Sequence, residues 1–267
     1  MKLGIALPSF VDDPEVPIEV ARRAEASGLD GVFVYDHLWR DRPPPRRGAI
    51  ECFTLLGAIA AETSSIRIGT LVTRATLRPP AVLAAALDTA QRVSGGRVIA
   101  GIGAGDSESR AENEAFGLRF GDTSTRVQAL IAAVQATHGR GYPVWVGGAA
   151  SIVREVVALA DGWNSWGGTP DRVESRAGLV RAVAPDAELT WGGLALLGRD
   201  AAHAASKAER RGLNDDVVAG GPDRVAARLS EYAAIGISWA IMGPLDSTDP
   251  ENATILGEDV APKLRGS

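Results

Sequence analysis

The sequence predicts a (β/α)8 barrel, an α/β fold in which one domain spans residues 1–267. Short runs rich in β-branched residues alternate with amphipathic helical segments along the chain, which is typical of a parallel sheet built from βα units. Eight such runs occur, and about 250 residues is the usual length of an eight-stranded barrel. No Pro- or Ser-rich linker divides the chain. A doubly wound parallel sheet is the alternative fold.

The eight predicted strands are short, and glycine or polar residues follow most of them. They lie at residues 3–7, 32–35, 66–72, 98–102, 144–146, 163–166, 194–197 and 239–242. Predicted helices between them include residues 17–26, 53–62, 81–93, 126–137, 152–160 and 225–234. Gly28, Gly95 and Gly236 follow three of these helices, where a left-handed residue commonly ends the helix. Residues 42–47 carry three prolines between arginines and are predicted to form a loop.

The composition is that of a globular protein with a large core: 45% of the residues are hydrophobic and 23% are charged. A net charge of -5 argues against general binding to nucleic-acid phosphates. Cys52 is the only cysteine, so the fold does not depend on a disulfide and we expect a cytoplasmic protein. The apolar run before Pro8 is too short for a signal peptide or a membrane span.

Several reaction classes lack the residues that they need. The three lysines, Lys2, Lys207 and Lys263, form no Walker-type phosphate loop and supply no Schiff-base lysine at a strand end. His37, His138 and His203 form no paired metal-binding motif, which predicts no histidine metal centre and leaves a carboxylate Mg²⁺ site open. The nucleophile elbow of the serine hydrolases is also absent from the sequence. A barrel with glycine-rich strand ends and without these motifs suits a bulky organic cofactor.

In a (β/α)8 barrel the functional residues follow the strands at their C-terminal ends. His37 follows the second strand and is the best candidate for a general acid or base, because imidazole exchanges protons near neutrality. Asp36 precedes it and either assists it or caps a turn. Asp106 follows the fourth strand and either faces His37 across the mouth or caps the next helix. Ser9 and Trp39 are candidates for the substrate pocket, although Trp39 could instead fill the core of its loop.

Glycines follow three further strands and would let the backbone approach a ligand closely. These candidates for cofactor binding are Gly101, Gly103, Gly105, Gly147, Gly148, Gly167, Gly168 and the adjacent Thr169. Ordinary Gly-rich turns are the alternative reading of the same residues. Arg74, Arg78 and Arg110 follow the third and fourth strands and would either steer an anionic ligand or lie solvated on the surface.

Eight stretches of the sequence form a series of short motifs over nearly the whole chain. They are KLGIA at 2–6, AEASGLDG at 24–31 with YDHL at 35–38, IGTLVT at 68–73, RPPA at 78–81, SGGR at 94–97 with GIGAG at 101–105, PVWVGG at 143–148, ADGWN at 160–164 and GPDRV at 221–225. Singly these motifs are modest, but together and in this order they are specific. The series resembles that of the luciferase-like oxidoreductases, the barrel enzymes that use flavin mononucleotide (FMN) or the deazaflavin coenzyme F420.

This resemblance implies a cofactor ring over the barrel mouth, near Asp36, near Leu71, Val72 and Thr73, and near the glycines of 101–105. It places the cofactor phosphate by the glycine pairs at 147–148 and 167–168. It also implies a cis peptide between Leu71 and Val72. Asp36, His37 and Asp106 match the residues that serve the cofactor and the proton transfer.

The function that the resemblance implies is hydride transfer between coenzyme F420 and a small organic substrate. An FMN-dependent monooxygenase and a non-catalytic homologue are the alternatives. The family habit is a homodimer. The chain departs from the family in two places, because residues 136–142 leave no room for the usual hairpin between strands four and five, and because a shorter acid stands at Asp106. We therefore expect an open pocket or a large substrate.

Overall fold

The computed structural model describes residues 1–40, 47–106, 109–149, 153–209 and 211–265. Eight parallel strands close into a barrel in the order β1–β2–β5–β6–β7–β8–β9–β11, and β11 pairs back with β1. They are β1 (Lys2–Ala6), β2 (Gly31–Val34), β5 (Arg67–Arg74), β6 (Val98–Gly103), β7 (Val144–Gly147), β8 (Gly162–Trp166), β9 (Glu188–Leu197) and β11 (Trp239–Pro244). This closure confirms the (β/α)8 prediction and rules out the open, doubly wound sheet.

Helices cover the outside of the barrel. They are α1 (Glu15–Ala26), α2 (Cys52–Glu62), α3 (Pro80–Val93), α4 (Ser109–Ala115), α5 (Thr123–Thr137), α6 (Pro170–Arg181), α7 (Ala201–Ala208), α8 (Pro222–Ala234), α9 (Glu251–Thr254) and α10 (Ala261–Arg265), the last two joined by a π-helix at Ile255–Val260. Gly28 and Gly236 have φ angles of 77° and 91°, the left-handed backbone that ends α1 and α8. No helix in the described ranges is long and apolar enough to cross a membrane.

The core has two parts. The larger part lies between the strands and the helices. The smaller one fills the barrel interior around Phe33, whose ring centroid lies 5.9 Å from the centroids of both Trp145 and Trp239. Gly69 leaves room for Phe33, since a Cβ atom there would come within 2.9 Å of its ring. The aromatic plug closes the interior below the C-terminal ends of the strands, where space is left for a site.

Two predicted elements need correction. The strand predicted at 194–197 is the end of the ten-residue β9, Glu188–Leu197. The pair Gly192 and Gly193 hid its first half, because glycine is depleted in strands. The helix predicted at 152–160 is wrong over most of its described part: Val153 is α-helical, but residues 154–156 form turns and Val157–Leu159 form a short 3-10 helix. Buried valines occupy that segment, and β-branched residues are poor helix formers.

Three short strands lie outside the predicted barrel. β3 (Trp39–Arg40) pairs antiparallel with β4 (Arg47–Gly48), and the predicted loop at 42–47 lies outside the described residues except for Arg47. β10 (Val218–Gly220) pairs parallel with the end of β9. The missing hairpin between strands four and five is confirmed: only six residues separate Thr137, the end of α5, from Val144, the start of β7.

Candidate active site

A cavity of about 920 Å³ opens at the C-terminal ends of the barrel strands. Residues at or just beyond the ends of all eight barrel strands contribute to its wall, which is the usual position of function in this fold. Its lining includes Ser9, Tyr35, His37, Leu71, Val72, Gly103, Gly105, Asp106, Arg126, Gly147, Gly148, Trp166, Leu194 and Asp246. The volume is that of a site for an organic ligand of cofactor size.

His37 pairs with a glutamate that the sequence analysis missed. Its Nδ1 lies 3.0 Å from Oε2 of Glu112, on α4. A carboxylate can only accept a hydrogen bond, so Nδ1 carries the hydrogen and Nε2 is left for a ligand. The His37 side chain is 37% exposed and lines the cavity, whereas that of Glu112 is almost fully buried. The pair is therefore an imidazole held by a buried carboxylate, with one nitrogen free to exchange a proton.

Glu112 is ionised in this environment. Burial opposes its ionisation, but the hydrogen bond with His37, the backbone N–H of Leu38 and the charge of Arg74 together lower the pKa of the carboxyl below 4.5. Arg74 Nη2 lies 2.9 Å from Glu112 Oε1. The carboxylate behind Nδ1 fixes the orientation and tautomer of the His37 ring.

Asp36 does not face the cavity. Its buried carboxylate accepts hydrogen bonds from Thr73 Oγ1 at 2.6 Å and from the two Arg78 Nη atoms at 2.6 and 3.2 Å. The backbone N–H of Arg74 donates to it as well. Neither Asp36 nor Thr73 belongs to the cavity lining. Asp36 thus joins the ends of β2 and β5 through its hydrogen bonds and lies outside the cavity lining.

The arginines at the end of β5 and just beyond it are paired with carboxylates, although Arg74 also lines the cavity. Arg74 is buried against Glu112, with a further hydrogen bond of 3.1 Å to Asn113. Arg78 pairs with Asp36 and Glu51. Arg110 lies on the surface, 3.5 Å from Glu114. Arg74 and Arg78 are therefore neutralised inside the protein, which corrects the expectation that they steer an anion.

Asp106 lines the cavity, but its carboxylate accepts hydrogen bonds from the backbone N–H and the hydroxyl of Ser109, at 3.1 and 3.0 Å. It therefore acts as the cap of α4 that the alternative reading proposed. The acid that pairs with His37 is Glu112, six residues farther on. Glu112 and Glu114 stand two residues apart in the same segment, and no motif in the sequence singles out Glu112.

The two residues expected in the substrate pocket are separated by the structure. Ser9 lines the cavity, and its buried Oγ has no hydrogen-bond partner among the described residues. Trp39 packs against Phe116, with 5.6 Å between the ring centroids, and does not belong to the lining. The second reading of Trp39, a side chain that fills its loop, is the one that the structure supports.

The peptide bond between Leu71 and Val72 is cis, as the resemblance implied. Both residues line the cavity. The Val72 side chain occupies space that Gly103 and Gly147 leave open, because a Cβ atom on either would lie 2.5 Å from a Val72 methyl group. These two glycines therefore make room for Val72 as well as for a ligand.

The remaining glycine candidates divide into two groups. Gly103, Gly105, Gly147 and Gly148 line the cavity, whereas Gly101, Gly167, Gly168 and Thr169 do not. The carbonyl of Gly167 accepts from Trp191 Nε1 at 3.3 Å, and the carbonyl of Gly168 accepts from the Tyr232 hydroxyl at 2.8 Å. The pair at 167–168 serves packing in this structure, and the pair at 147–148 faces the cavity.

Arg126, on the first turns of α5, is a cavity cation that the sequence analysis missed. Its guanidinium stacks 4.4 Å from the Phe120 ring, and its long hydrogen bonds of 3.3 and 3.4 Å go to Gly121 O and Thr123 Oγ1. Its buried Nε has no hydrogen-bond partner, and no carboxylate of the described residues pairs with it. A half-buried guanidinium of this kind is suited to an anionic group of a ligand.

The chain is similar to enzymes that use coenzyme F420 and, in fold, to a monooxygenase. An F420-dependent glucose-6-phosphate dehydrogenase of Amycolatopsis mediterranei is 37% identical over 110 residues, which cover 40% of this chain and 32% of that enzyme. A solved F420-dependent secondary alcohol dehydrogenase, in complex with an F420-acetone adduct, superposes with a TM-score of 0.79 at 16% identity over 99% of each chain. An EDTA monooxygenase from Chelativorans gives 0.79 at 15% identity, over 100% of this chain and 93% of that one.

The match to a whole family is broader than these single likenesses. The luciferase-like monooxygenase family matches residues 1–197, about three quarters of the chain and all of the motifs from β1 to β9. Because this match covers more than half of the chain, the chain belongs to the luciferase-like monooxygenase family of oxidoreductases.

Proposed function

We propose that the protein transfers a hydride between coenzyme F420 and a small organic substrate in the cavity at the strand ends. The His37–Glu112 pair carries the proposal, because hydride transfer to or from a C–O or C–N bond also needs a group that gives or takes a proton. When bound, the deazaflavin supplies or accepts the hydride. His37 Nε2 would hold the proton at the substrate, and Glu112 would orient the ring.

The residues present fit such a cofactor. Leu71 and Val72 offer an apolar shelf for a planar ring, and the backbone at 147–148 can approach a phosphate closely. Arg126 would bind the anionic group, since its Nε lacks a partner in the described part of the chain. The same features would accept FMN, which also joins a planar ring to a phosphate. FMN therefore remains the alternative that the experiment must separate.

The first experiment is a titration of the purified protein with F420 and with FMN, followed by the fluorescence of each cofactor. Saturable binding of F420 with no comparable binding of FMN would support the proposal. A clear preference for FMN would favour the monooxygenase alternative, and binding of neither would favour the non-catalytic one.

The second experiment tests the proton donor. We expect His37→Gln to lower turnover by about a hundredfold to ten-thousandfold while the Kd for F420 stays the same, because only the proton transfer is lost. His138→Gln is the matched control. His138 also pairs with a carboxylate, Asp161, at 3.3 Å, but it lies at the opposite end of the barrel. Full activity of His37→Gln would contradict the assigned role.

We also propose that the chain forms a homodimer in the cytoplasm. Two apolar side chains on one face of α3 support the dimer, because Val82 and Val93 are 52% and 58% exposed. Light scattering of the purified protein would give twice the mass of 27.8 kDa for a dimer. A particle of the monomer mass at micromolar concentration would overturn it.

A further inference from the structure

Two aromatic rings cover the floor of the cavity. Tyr35 directly follows β2, and Trp166 ends β8 on the opposite side of the barrel. Their ring centroids are 5.9 Å apart with an interplanar angle of 83°, the edge-to-face arrangement that aromatic pairs prefer. We call this pair the floor rings. Neither residue has a part in the function proposed above.

Glycines on two neighbouring strands make room for the floor rings. A Cβ atom at Gly192 would lie 2.8 Å from the Trp166 indole. A Cβ atom at Gly243 would lie 3.1 Å from the Tyr35 hydroxyl and 3.3 Å from Trp166. Side chains at these two positions would displace the rings. The position of the floor rings therefore requires glycine at 192 and 243.

The floor presents apolar surface to the cavity. Trp166 and Leu194 are 41% and 42% exposed, and both line the cavity. Gly192 is the register partner of Trp166, and Leu194 lies two residues farther along β9 on the same face, beside the indole. Apolar area of this kind inside a cavity is a binding surface for the apolar part of a ligand.

One polar atom interrupts that surface. The Tyr35 hydroxyl makes no hydrogen bond to any residue that the structure describes, and burial raises the pKa of the phenol well above 10. It therefore keeps its proton and can donate one hydrogen bond to a ligand. Asp246, an acid of the same lining, is paired with Lys207, so the floor itself carries no free negative charge.

We propose that Tyr35, Trp166 and Leu194 form a substrate subsite for an apolar, planar or aromatic molecule with a carbonyl or hydroxyl group next to the ring. The indole and Leu194 bind the ring, and the Tyr35 hydroxyl donates to the oxygen. An aryl ketone and the corresponding secondary alcohol are the substrate class. That the bound molecule is a substrate rests on the proposed function, whereas its binding to the subsite does not require the cofactor.

The test uses acetophenone labelled with ¹³C at the carbonyl, titrated into the cofactor-free protein and observed by NMR. We expect saturable binding and a downfield shift of the carbonyl carbon, since a donated hydrogen bond withdraws electron density from it. Tyr35→Phe keeps the ring and removes the donor, so the shift should disappear and the Kd should rise about threefold to tenfold. Trp166→Leu should weaken binding about tenfold.

Tyr142→Phe is the matched control, because the Tyr142 hydroxyl bonds to Asp88 at 3.1 Å, outside the cavity. Both its shift and its Kd should equal those of the unmodified protein. Circular dichroism verifies that each variant folds. If Tyr35→Phe does not, Gly243→Ala provides the second test, because its methyl group would crowd the Tyr35 hydroxyl and displace it while both aromatic residues are retained; the same loss of shift is expected.

The subsite is overturned if acetophenone does not bind saturably, or if Tyr35→Phe retains the shift and the affinity of the unmodified protein. Equal losses in Tyr142→Phe would also overturn it. Binding of acetophenone with the expected shift, in a protein that binds neither F420 nor FMN, would support the subsite and refute the proposed function. The two proposals therefore fail independently.

Discussion

Glu112 links three parts of the candidate site through one carboxylate. It accepts hydrogen bonds from His37 Nδ1 and from the backbone N–H groups of Leu38 and Trp39, and it forms a buried ion pair with Arg74. The imidazole, the chain after β2 and the end of β5 are thereby held in one arrangement. Loss of the carboxylate would leave the Arg74 guanidinium buried without its counter-charge.

We expect Glu112→Gln to lower the free energy of unfolding by about 3 kcal/mol, because breaking a buried ion pair from one side leaves an uncompensated charge. Urea denaturation at pH 7 measures this loss. Glu114→Gln, two residues away on the surface, is the control and should change stability by less than about 0.5 kcal/mol. Equal stability of the two variants would contradict the assigned burial.

Arg126 gives a second prediction for a single residue. Arg126→Gln should raise the Kd for F420 about tenfold to a hundredfold and leave unchanged the binding of the deazaflavin fragment that lacks the phosphate tail. Arg110→Gln is matched to it, because both guanidinium groups stack on Phe120 but Arg110 lies outside the cavity. An equal loss for the fragment would show that Arg126 supports the fold and not the anion.

His37 could be predicted from the sequence and its partner could not, for a physical reason. His37 directly follows a strand, and the ends of parallel strands meet at one edge whatever the helices do. Glu112 and Arg126 lie on helices, so their approach to the mouth depends on helix placement and side-chain length. Asp36 shows that a position after a strand does not by itself decide where a side chain points, because its carboxylate pairs with Arg78.

At the scale of elements, the turn from α2 into β5 depends on Glu25 of α1. Its carboxylate accepts hydrogen bonds from the backbone N–H groups of Ser64, Ser65 and Ile66, with N···O distances of 2.9, 2.6 and 3.0 Å. Burial opposes ionisation, but these hydrogen bonds outweigh it and lower the pKa of Glu25 to about 2. The carboxylate thus ties the first helix to the third barrel strand.

The pH dependence follows from the direction of that shift. The folded pKa lies below the unfolded value of about 4.3, so the stabilisation is complete above that value and is lost as the pH falls toward 2. Glu25→Gln should be about 1 kcal/mol less stable at pH 7, and the difference should shrink at pH 3. Glu19→Gln, which replaces an exposed acid of the same helix, is the control variant in the same urea denaturation.

The junction of β5 and β7 gives another prediction for elements. Gly147→Ala places a methyl group 2.5 Å from Val72 Cγ1 and should cost about 2 kcal/mol of unfolding free energy by overpacking. Val72→Ala in the same chain should recover more than about 1 kcal/mol of it, which a double-mutant cycle measures. Gly57→Ala, in α2 with no atom within 4 Å, should be neutral or stabilising.

The pattern of alternating elements was enough to predict the order of the barrel strands. It predicted the lengths of the strands less well. β9 was predicted to have four residues and has ten. Its two glycines lower the strand propensity of the segment, but they leave room for the side chains of Trp166 and Trp191. The helix expected at 152–160 failed because its valines are buried in a turn. In both places tertiary packing overrides the local preference.

At the scale of the whole molecule, ring closure makes distant segments neighbours. β1 pairs with β2 on one side and with β11 on the other, so the first and last barrel strands are adjacent. Gly257 of the terminal π-helix lies against Ser27, where a Cβ atom would come 2.1 Å from its carbonyl oxygen. We propose that residues 1–267 form a single domain for this reason.

A single domain of this kind should unfold as one unit. In urea, the near-ultraviolet and far-ultraviolet circular dichroism signals should change at the same midpoint, because neither half of a closed barrel buries its strands alone. Two separate transitions would show that part of the barrel is stable without the rest. The same measurement on Gly257→Ala should give a lower midpoint with the transitions still coincident.

The exposure of Trp166 also makes the molecule easy to follow. Trp145, Trp163, Trp191 and Trp239 are at most 3% exposed and Trp39 is half-buried, whereas Trp166 is 41% exposed. Collisional quenchers such as acrylamide should therefore remove chiefly the red edge of the tryptophan emission, where a hydrated indole contributes most. A ligand that covers the cavity floor should restore that red edge, so the protein carries its own optical reporter of occupancy.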